Sequence, residues 1–202
     1  EVDFSLSIKT IQDGMSQLTV TTNTDSILGI EGYCSREYFK CFAVMCRGSL
    51  QFPGRQMHPS PDPINALLSL GYTLVASEIS AVLEAMSIDP YLGYLHGIRY
   101  GRKSLALDLL EEFRQAIVDP MTLRIINLRI FTEDDFVETP KGVRLTSPAF
   151  KTYLREYEKR MEEARVKVQD QKLNWRSVIQ KQMGKLVICI QEGEIYCPHN
   201  LK

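Results

Sequence analysis

The chain has 202 residues, 44% of them hydrophobic and 24% charged, which is the composition of an ordinary soluble globular protein. Its formal charge of −1 excludes a strongly basic or acidic protein, so any nucleic-acid binding has to come from local clusters of charge. The five cysteines form no CxxC pair, which excludes a disulfide-stapled miniprotein and fits a reducing cytoplasm. The apolar runs are read as too short to span a membrane, and no signal peptide opens the chain. We therefore expect a cytoplasmic protein without a membrane partner.

The first 22 residues do not predict one structure. Apolar residues alternate over 2–8, as in a strand, whereas those over 8–18 recur at helical spacing. We therefore divide the chain into an N-terminal segment of uncertain structure, 1–22, and a helical domain, 23–202. Because the chain does not open with Met, we expect it to be a fragment.

The rest of the chain predicts a mainly α fold. A proline-rich loop over 48–63 precedes a helix that is apolar nearly all round and is expected to be central and buried. The final helix carries Trp175, and a small β-hairpin is predicted over 137–145. A capping box joins Thr132 to Asp135. Helix starts are predicted from capping residues or a first-turn proline at five places: Asp25-Ser26, Asp62-Pro63, Ser104, Asp119-Pro120 and Ser147-Pro148.

Three acids and one histidine are candidates for chemistry. Asp108 and Glu111 share a face of a predicted helix, where both could bind one hard cation, although a solvated acidic face is the more common reason for such a pair. His96 ends an apolar run, and a lone histidine there is more often structural than a ligand. Glu31 lies between two glycines early in a helix, as expected for a capping carboxylate or for a place where a ligand approaches closely.

The basic residues are unevenly distributed. Arg99, Arg102 and Lys103 lie between His96 and Asp108, and cations beside acids and a histidine are what a metal-assisted phosphodiester site needs. A longer basic stretch over 148–185 is either a solvated face or a further contact for DNA. Phosphate-loop, dinucleotide, serine-hydrolase and zinc-protease motifs are not found in the sequence.

Four separated blocks occur in one order along the chain. They are 29–32 (GIEG), 62–74 (DPINALLSLGYTL), 89–96 (DPYLGYLH) and 99–114 (RYGRKSLALDLLEEFR). Together they resemble the catalytic domain of the CRISPR spacer-acquisition integrase, the larger of the two core adaptation proteins, over about residues 20–190. The resemblance implies a mainly α, multi-helix catalytic domain with a small β-hairpin, which here lacks the β-rich N-terminal domain of the family.

The resemblance also implies a site. The matching positions make Glu31, His96 and Glu111 the metal ligands, with Asp108 as an accessory catalytic acid. Two carboxylates and one imidazole suit Mn²⁺ or Mg²⁺. Arg99, Arg102 and Lys103 are expected to hold DNA phosphates near the metal, and Tyr100 and Asn65 either to contact DNA or to support the metal ligands from behind.

The implied activity is that of a metal-dependent DNA endonuclease and integrase of CRISPR adaptation. It inserts spacer DNA into the repeat array by transesterification, in which a 3′-hydroxyl attacks a phosphodiester. The implied partners are prespacer and CRISPR repeat DNA, the smaller adaptation protein and a second copy of the chain. Two alternatives stay open: a stand-alone metal-dependent nuclease or junction resolvase, and an inactive DNA-binding scaffold.

Overall fold

The computed structural model describes residues 3–56, 59–162, 166–168 and 171–199. In this part of the chain the expected mainly α fold is confirmed. The helices are α1 (Ser5–Leu18), α2 (Thr24–Met45), α3 (Pro63–Ala85), α4 (Ser104–Leu110), α5 (Asp119–Asn127), α6 (Ser147–Glu162) and α7 (Trp175–Glu192). The strands form two antiparallel hairpins, the predicted one of β1 (Phe136–Thr139) with β2 (Gly142–Leu145), and an unpredicted one of β3 (Val166–Val168) with β4 (Gln171–Leu173).

The chain divides into two compact units. The first comprises residues 1–66 and 123–144, and the second comprises 67–122 and 145–202. In the first unit the N-terminal segment, which the sequence left uncertain, is helical over Ser5–Leu18, and α1 lies against α2. A Cβ at Gly14 would lie 2.3 Å from Cys34 Sγ, so only glycine permits this close approach.

The start of α2 corrects one sequence prediction. The side chain of Asn23 accepts hydrogen bonds from the backbone N–H groups of Asp25 and Ser26 and therefore caps the helix. Asp25 and Ser26, which were expected to cap it, are already helical because the asparagine two residues earlier takes that role.

α3 is strongly apolar, and many of its side chains are buried. Asp62 Oδ1 accepts the backbone N–H of Asn65 at 2.9 Å, which confirms the predicted cap. By length and hydropathy α3 could cross a membrane, so the expectation that no run was long enough was wrong. Its hydropathy is explained by burial, because several of its side chains have no exposed surface: Leu67, Leu68, Val75, Ile79 and Leu83.

Two of the predicted helix caps, Ser104 and Asp119, are wrong. Ser104 is the first residue of α4 and is buried, and its hydroxyl donates to the carbonyl of Gly97 at 3.1 Å. A π-helix over Arg114–Val118 leads directly into α5, so Asp119 does not cap a new helix. Asp119 is 1% exposed and accepts a hydrogen bond from the hydroxyl of Tyr72.

The C-terminal predictions are confirmed. Thr132 and Asp135 form the capping box of a short 3₁₀ turn before β1. Ser147 begins α6, and α7 begins at Trp175 after Asn174, whose side chain accepts the backbone N–H of Ser177 at 2.9 Å.

Candidate functional site

The Asp108 carboxylate fixes the loop that carries His96. Oδ2 accepts the backbone N–H groups of Tyr94 and Leu95 at 2.6 and 3.0 Å. Oδ1 accepts the backbone N–H of His96 at 2.9 Å and also lies 2.5 Å from its ring atom Nδ1. A short loop without regular structure is thus folded over one carboxylate on α4, and hydrogen bonds to an ionised acceptor are among the stronger ones in proteins.

The contact with Asp108 determines which nitrogen of His96 is available. Because a carboxylate oxygen accepts, the contact favours the tautomer with its proton on Nδ1, and in that tautomer Nε2 is the nitrogen with the lone pair. The His96 side chain is 25% exposed and that of Asp108 11% exposed. A carboxylate behind one ring nitrogen is the usual arrangement around a metal-binding histidine, because it fixes both the tautomer and the ring orientation.

Glu111 lies one turn after Asp108 and has its own partner. Its Oε1 is 3.0 Å from Nη2 of Arg114, and both side chains are about one quarter exposed, at 28% and 25%. The Arg114 guanidinium lies 4.8 Å from the ring centroid of Tyr72, a cation–π contact. Glu111 is therefore paired with a cation that is itself fixed by an aromatic ring.

Glu31 lies on α2 and is exposed. It belongs to the first unit, whereas His96, Asp108 and Glu111 belong to the second. Among the described residues no group of three or more His, Cys, Asp or Glu side chains is placed to hold a metal ion. The ligand set Glu31, His96 and Glu111 therefore stays a prediction.

The predicted DNA-binding loop contains two kinds of cation. Arg99 and Tyr100 are exposed, with Tyr100 fully so, and Arg102 is half-buried. Lys103 instead donates to Glu84 Oε1 and Ser80 Oγ, each at 2.7 Å. The hydrogen bond from Lys103 holds the pKa of Glu84 below its ordinary value. Sequence spacing placed Lys103 with the arginines but did not reveal this ion pair.

Asn65 has a different role from the expected one. Its side chain has no exposed surface, and its amide donates to the carbonyl of Gly54 and to Asp62 Oδ2 at 2.9 and 2.6 Å. Its Oδ1 accepts from Arg55 Nη1 and the backbone N–H of Gln56 at 2.8 and 2.9 Å. The prediction that Asn65 contacts DNA is corrected, because its hydrogen-bonding capacity holds the loop before α3.

Sequence reasoning also missed a network around Arg176 on α7. Arg176 Nε and Nη2 donate to the two carboxylate oxygens of Glu78, each at 3.0 Å, and Arg176 also pairs with Glu158 and Glu162. The hydroxyl of Tyr157 donates to Glu78 Oε1 at 2.9 Å. These acids raise the pKa of Arg176 above its ordinary value. Glu78 is thus structural, and no spacing in the sequence links it to a residue on α7.

Comparison with known proteins identifies the family. The family model described as "CRISPR associated protein Cas1" matches residues 1–159. The chain therefore belongs to the Cas1 family, and the resemblance found in its four sequence blocks is confirmed.

Curated relatives agree with this assignment. A "CRISPR-associated endonuclease Cas1 3" from Thermus thermophilus is 39% identical over 153 residues, which are 76% of this chain and 46% of the relative. A "CRISPR-associated endonuclease Cas1 4" from Methanospirillum hungatei is 42% identical over 142 residues, covering 70% of this chain and 40% of the relative. The chain thus spans less than half the length of these relatives.

Solved structures share the fold. A chain from a "Partial Cas6-RT-Cas1--Cas2 complex" superposes with a TM-score of 0.86 at 25% identity, covering 98% of this chain and 60% of that one. A chain from "Casposase bound to integration product" gives 0.83 at 26% identity, covering 91% and 52%.

Proposed function

We propose that this chain carries part of a metal-dependent DNA integrase and endonuclease of CRISPR adaptation. The observation that carries the proposal is the His96–Asp108 pair, because it leaves Nε2 of a partly exposed imidazole available as a ligand. Family membership supports it, since the curated relatives are named endonucleases.

The proposed metal ligands are Glu31, His96 and Glu111. Oxygen and imidazole donors without thiolate suit Mn²⁺ or Mg²⁺ better than a structural zinc ion. When bound, such an ion supplies Lewis-acid polarisation of a phosphodiester and stabilises the leaving oxygen.

The chain's own residues would bind and orient the DNA for a transesterification at one phosphorus atom. Arg99, Arg102 and Tyr100 hold the DNA backbone and bases, and Asp108 keeps the His96 ring oriented. The 3′-oxygen of the incoming DNA forms a bond to phosphorus while the bond from phosphorus to the 3′-oxygen of the repeat strand breaks. The attacking hydroxyl loses its proton and the leaving oxygen gains one, so the number of phosphodiesters is unchanged and no oxidant or reductant is needed.

A DNA-binding scaffold without activity is the second candidate. It is favoured by one observation, the pairing of Glu111 with Arg114, because an arginine at that position already neutralises a proposed ligand. In that case the arginines of the loop would still bind phosphates.

The proposed partners are prespacer and repeat DNA, the smaller adaptation protein and a second copy of this chain. A Cas1--Cas2 complex and a casposase bound to its integration product, which share this fold, support the first two. We also propose that the protein acts in the cytoplasm, where its five free cysteines stay reduced.

The test combines the chain with Mn²⁺, a DNA duplex with free 3′-hydroxyls and a second duplex that contains the repeat. We expect joined strands from the wild type and none from His96→Ala, whereas Asp134→Asn, an exposed acid in the first unit, retains activity. Cleaved but never joined strands would indicate a stand-alone nuclease or resolvase. DNA binding that is equal in wild type and His96→Ala, without any product, would favour the scaffold.

A further inference from the structure

The segment after α7 turns back towards its own helix. Gly193 has a φ of 71°, a left-handed conformation that glycine adopts without steric cost. The backbone N–H groups of Gly193 and Glu194 both donate to the carbonyl of Cys189, the latter at 3.0 Å. Residues 194–199, which we name the C-terminal strap, therefore leave the axis of α7 at a fixed turn.

The C-terminal strap holds both oxygens of Glu112. The hydroxyl of Tyr196 donates to Oε1 and the backbone N–H of His199 donates to Oε2, each at 2.7 Å. Gln182 on α7 is 2% exposed, and its Nε2 donates to Tyr196 Oη and to the carbonyl of Cys197, each at 2.8 Å. The strap is thus fastened both to α7 and to the residue that follows Glu111.

Aromatic contacts reinforce these hydrogen bonds. The His199 ring stacks on Phe113 with centroids 6.1 Å apart and 14° between the planes, and it meets the ring of Trp175 edge-on at 6.4 Å. Phe113 has no exposed surface. Burial raises the pKa of the Glu112 carboxyl, and the hydrogen bonds from His199 and Tyr196 oppose that rise. The contacts therefore offset part of the cost of removing an acid from water.

The strap contacts a turn that has few internal bonds of its own. The backbone N–H of Glu112 donates to Leu109 O at 3.3 Å, and that of Phe113 donates to Leu110 O at 2.9 Å. These bonds span three residues, the poorer 3₁₀ geometry, between the end of α4 and the π-helix that begins at Arg114. Glu111 is the first residue of this turn, so its direction depends on how firmly the turn is held.

We infer that the C-terminal strap fixes the turn over 111–113 and thereby positions Glu111, with Tyr196 and His199 as positioning residues. That Glu111 is a metal ligand rests on the proposed function. That the strap holds the turn in place does not depend on it. The strap lies beyond residue 159, where the match to the family model ends.

Amide hydrogen exchange tests the fixing of the turn without any metal. Tyr196→Phe removes only the hydroxyl that bridges Glu112 and Gln182, and Ile195→Ala is the matched control because Ile195 is 95% exposed. We expect exchange at the Glu112 and Phe113 amides to quicken about tenfold in Tyr196→Phe and in a chain ending at Glu194, and not in the control. Unchanged exchange in both strap variants would overturn the inference.

Calorimetric titration with Mn²⁺ tests the positioning of Glu111. We expect Tyr196→Phe, titrated well below its melting temperature, to bind Mn²⁺ about tenfold more weakly, and Ile195→Ala to bind like the wild type. Wild-type affinity in Tyr196→Phe despite quicker exchange would refute the positioning role. A wild-type chain that binds no Mn²⁺ would overturn the proposed ligand set and the positioning role with it, while the exchange experiment would still decide whether the strap fixes the turn.

Discussion

Two acids in the same stretch of chain, Asp108 and Glu112, each hold another segment by hydrogen bonds, but they use a histidine in different ways. Asp108 binds three backbone N–H groups and the ring of His96, which leaves one ring nitrogen available. Glu112 binds the backbone N–H of His199, whose ring stacks on Phe113 instead. One carboxylate orients an imidazole by its Nδ1 atom, and the other binds the backbone of a histidine and so holds the C-terminal strap.

Loss of the contacts between Asp108 and the His96 loop is expected to have the largest effect, a fall in the affinity for Mn²⁺. Asp108→Asn removes the charge behind His96 and weakens the bonds to the loop, so we expect Mn²⁺ affinity to fall about 10- to 100-fold. Asp89→Asn is the matched control, because Asp89 lies in the same loop and its carboxylate accepts the nearby backbone N–H of Tyr91 at 2.9 Å. Calorimetry measures both, and equal losses in the two variants would mean that Asp108 has no special role.

The second arrangement is expected to matter for stability. Gln182→Leu leaves the carbonyl of Cys197 and the hydroxyl of Tyr196 without their buried donor, so the free energy of unfolding should fall by about 1–2 kcal/mol. Gln180→Leu, on the exposed side of α7, is the control and should change it little. Urea unfolding followed by circular dichroism measures both, and a null effect at Gln182 would show that the strap is not fastened to α7.

The contacts of Asp108 and of Glu112 differ in how far the sequence could predict them. His96 and Asp108 lie in recognisable blocks, so the resemblance placed both in one site, although it did not predict the hydrogen bonds between them; the buried helix after Asp62-Pro63 was also predicted. The link from Glu112 to Tyr196 and His199 joins residues far apart in sequence with no periodic signal between them. Asn65 was misassigned because its chemistry suits DNA, and only the structure shows that its amide is buried and fully bonded.

Because His199 can be protonated, the contact between the C-terminal strap and the turn over 111–113 should depend on pH. Burial and the charge of Lys185 hold the pKa of His199 below its ordinary value, while Glu112 and Tyr196 also face this region. The folded pKa is the lower one, so the stability that His199 contributes is present above about pH 6.5 and is lost as the pH falls below it.

Fluorescence of Trp175, the single tryptophan, reports this change because its ring contacts His199. We expect the emission to shift as the pH falls from 7 to 5. His199→Phe keeps a ring to stack on Phe113 but cannot titrate, and it should show no such shift. The same shift in this variant would assign the pH dependence to another group.

Arg99 and Lys103, both in the loop that Asp108 holds, are expected to contribute differently to DNA binding, and this difference is the smallest that we predict. Arg99→Ala should lower the slope of log affinity for DNA against log salt by about one, the loss of one phosphate contact. Lys103→Ala should change it less, because Glu84 already pairs with this lysine. Glu84→Gln should release Lys103 and strengthen DNA binding. Filter binding at several salt concentrations measures all three, and equal slopes for Arg99→Ala and Lys103→Ala would contradict the distinction.

We propose that Glu31, His96 and Glu111 hold one divalent metal ion, and calorimetric titration of the wild type, Glu31→Ala and His96→Ala with Mn²⁺ is the decisive test. We expect one site in the wild type and its loss, or a much weaker site, in both variants. Equal binding by all three chains, or binding by none, would overturn this ligand set.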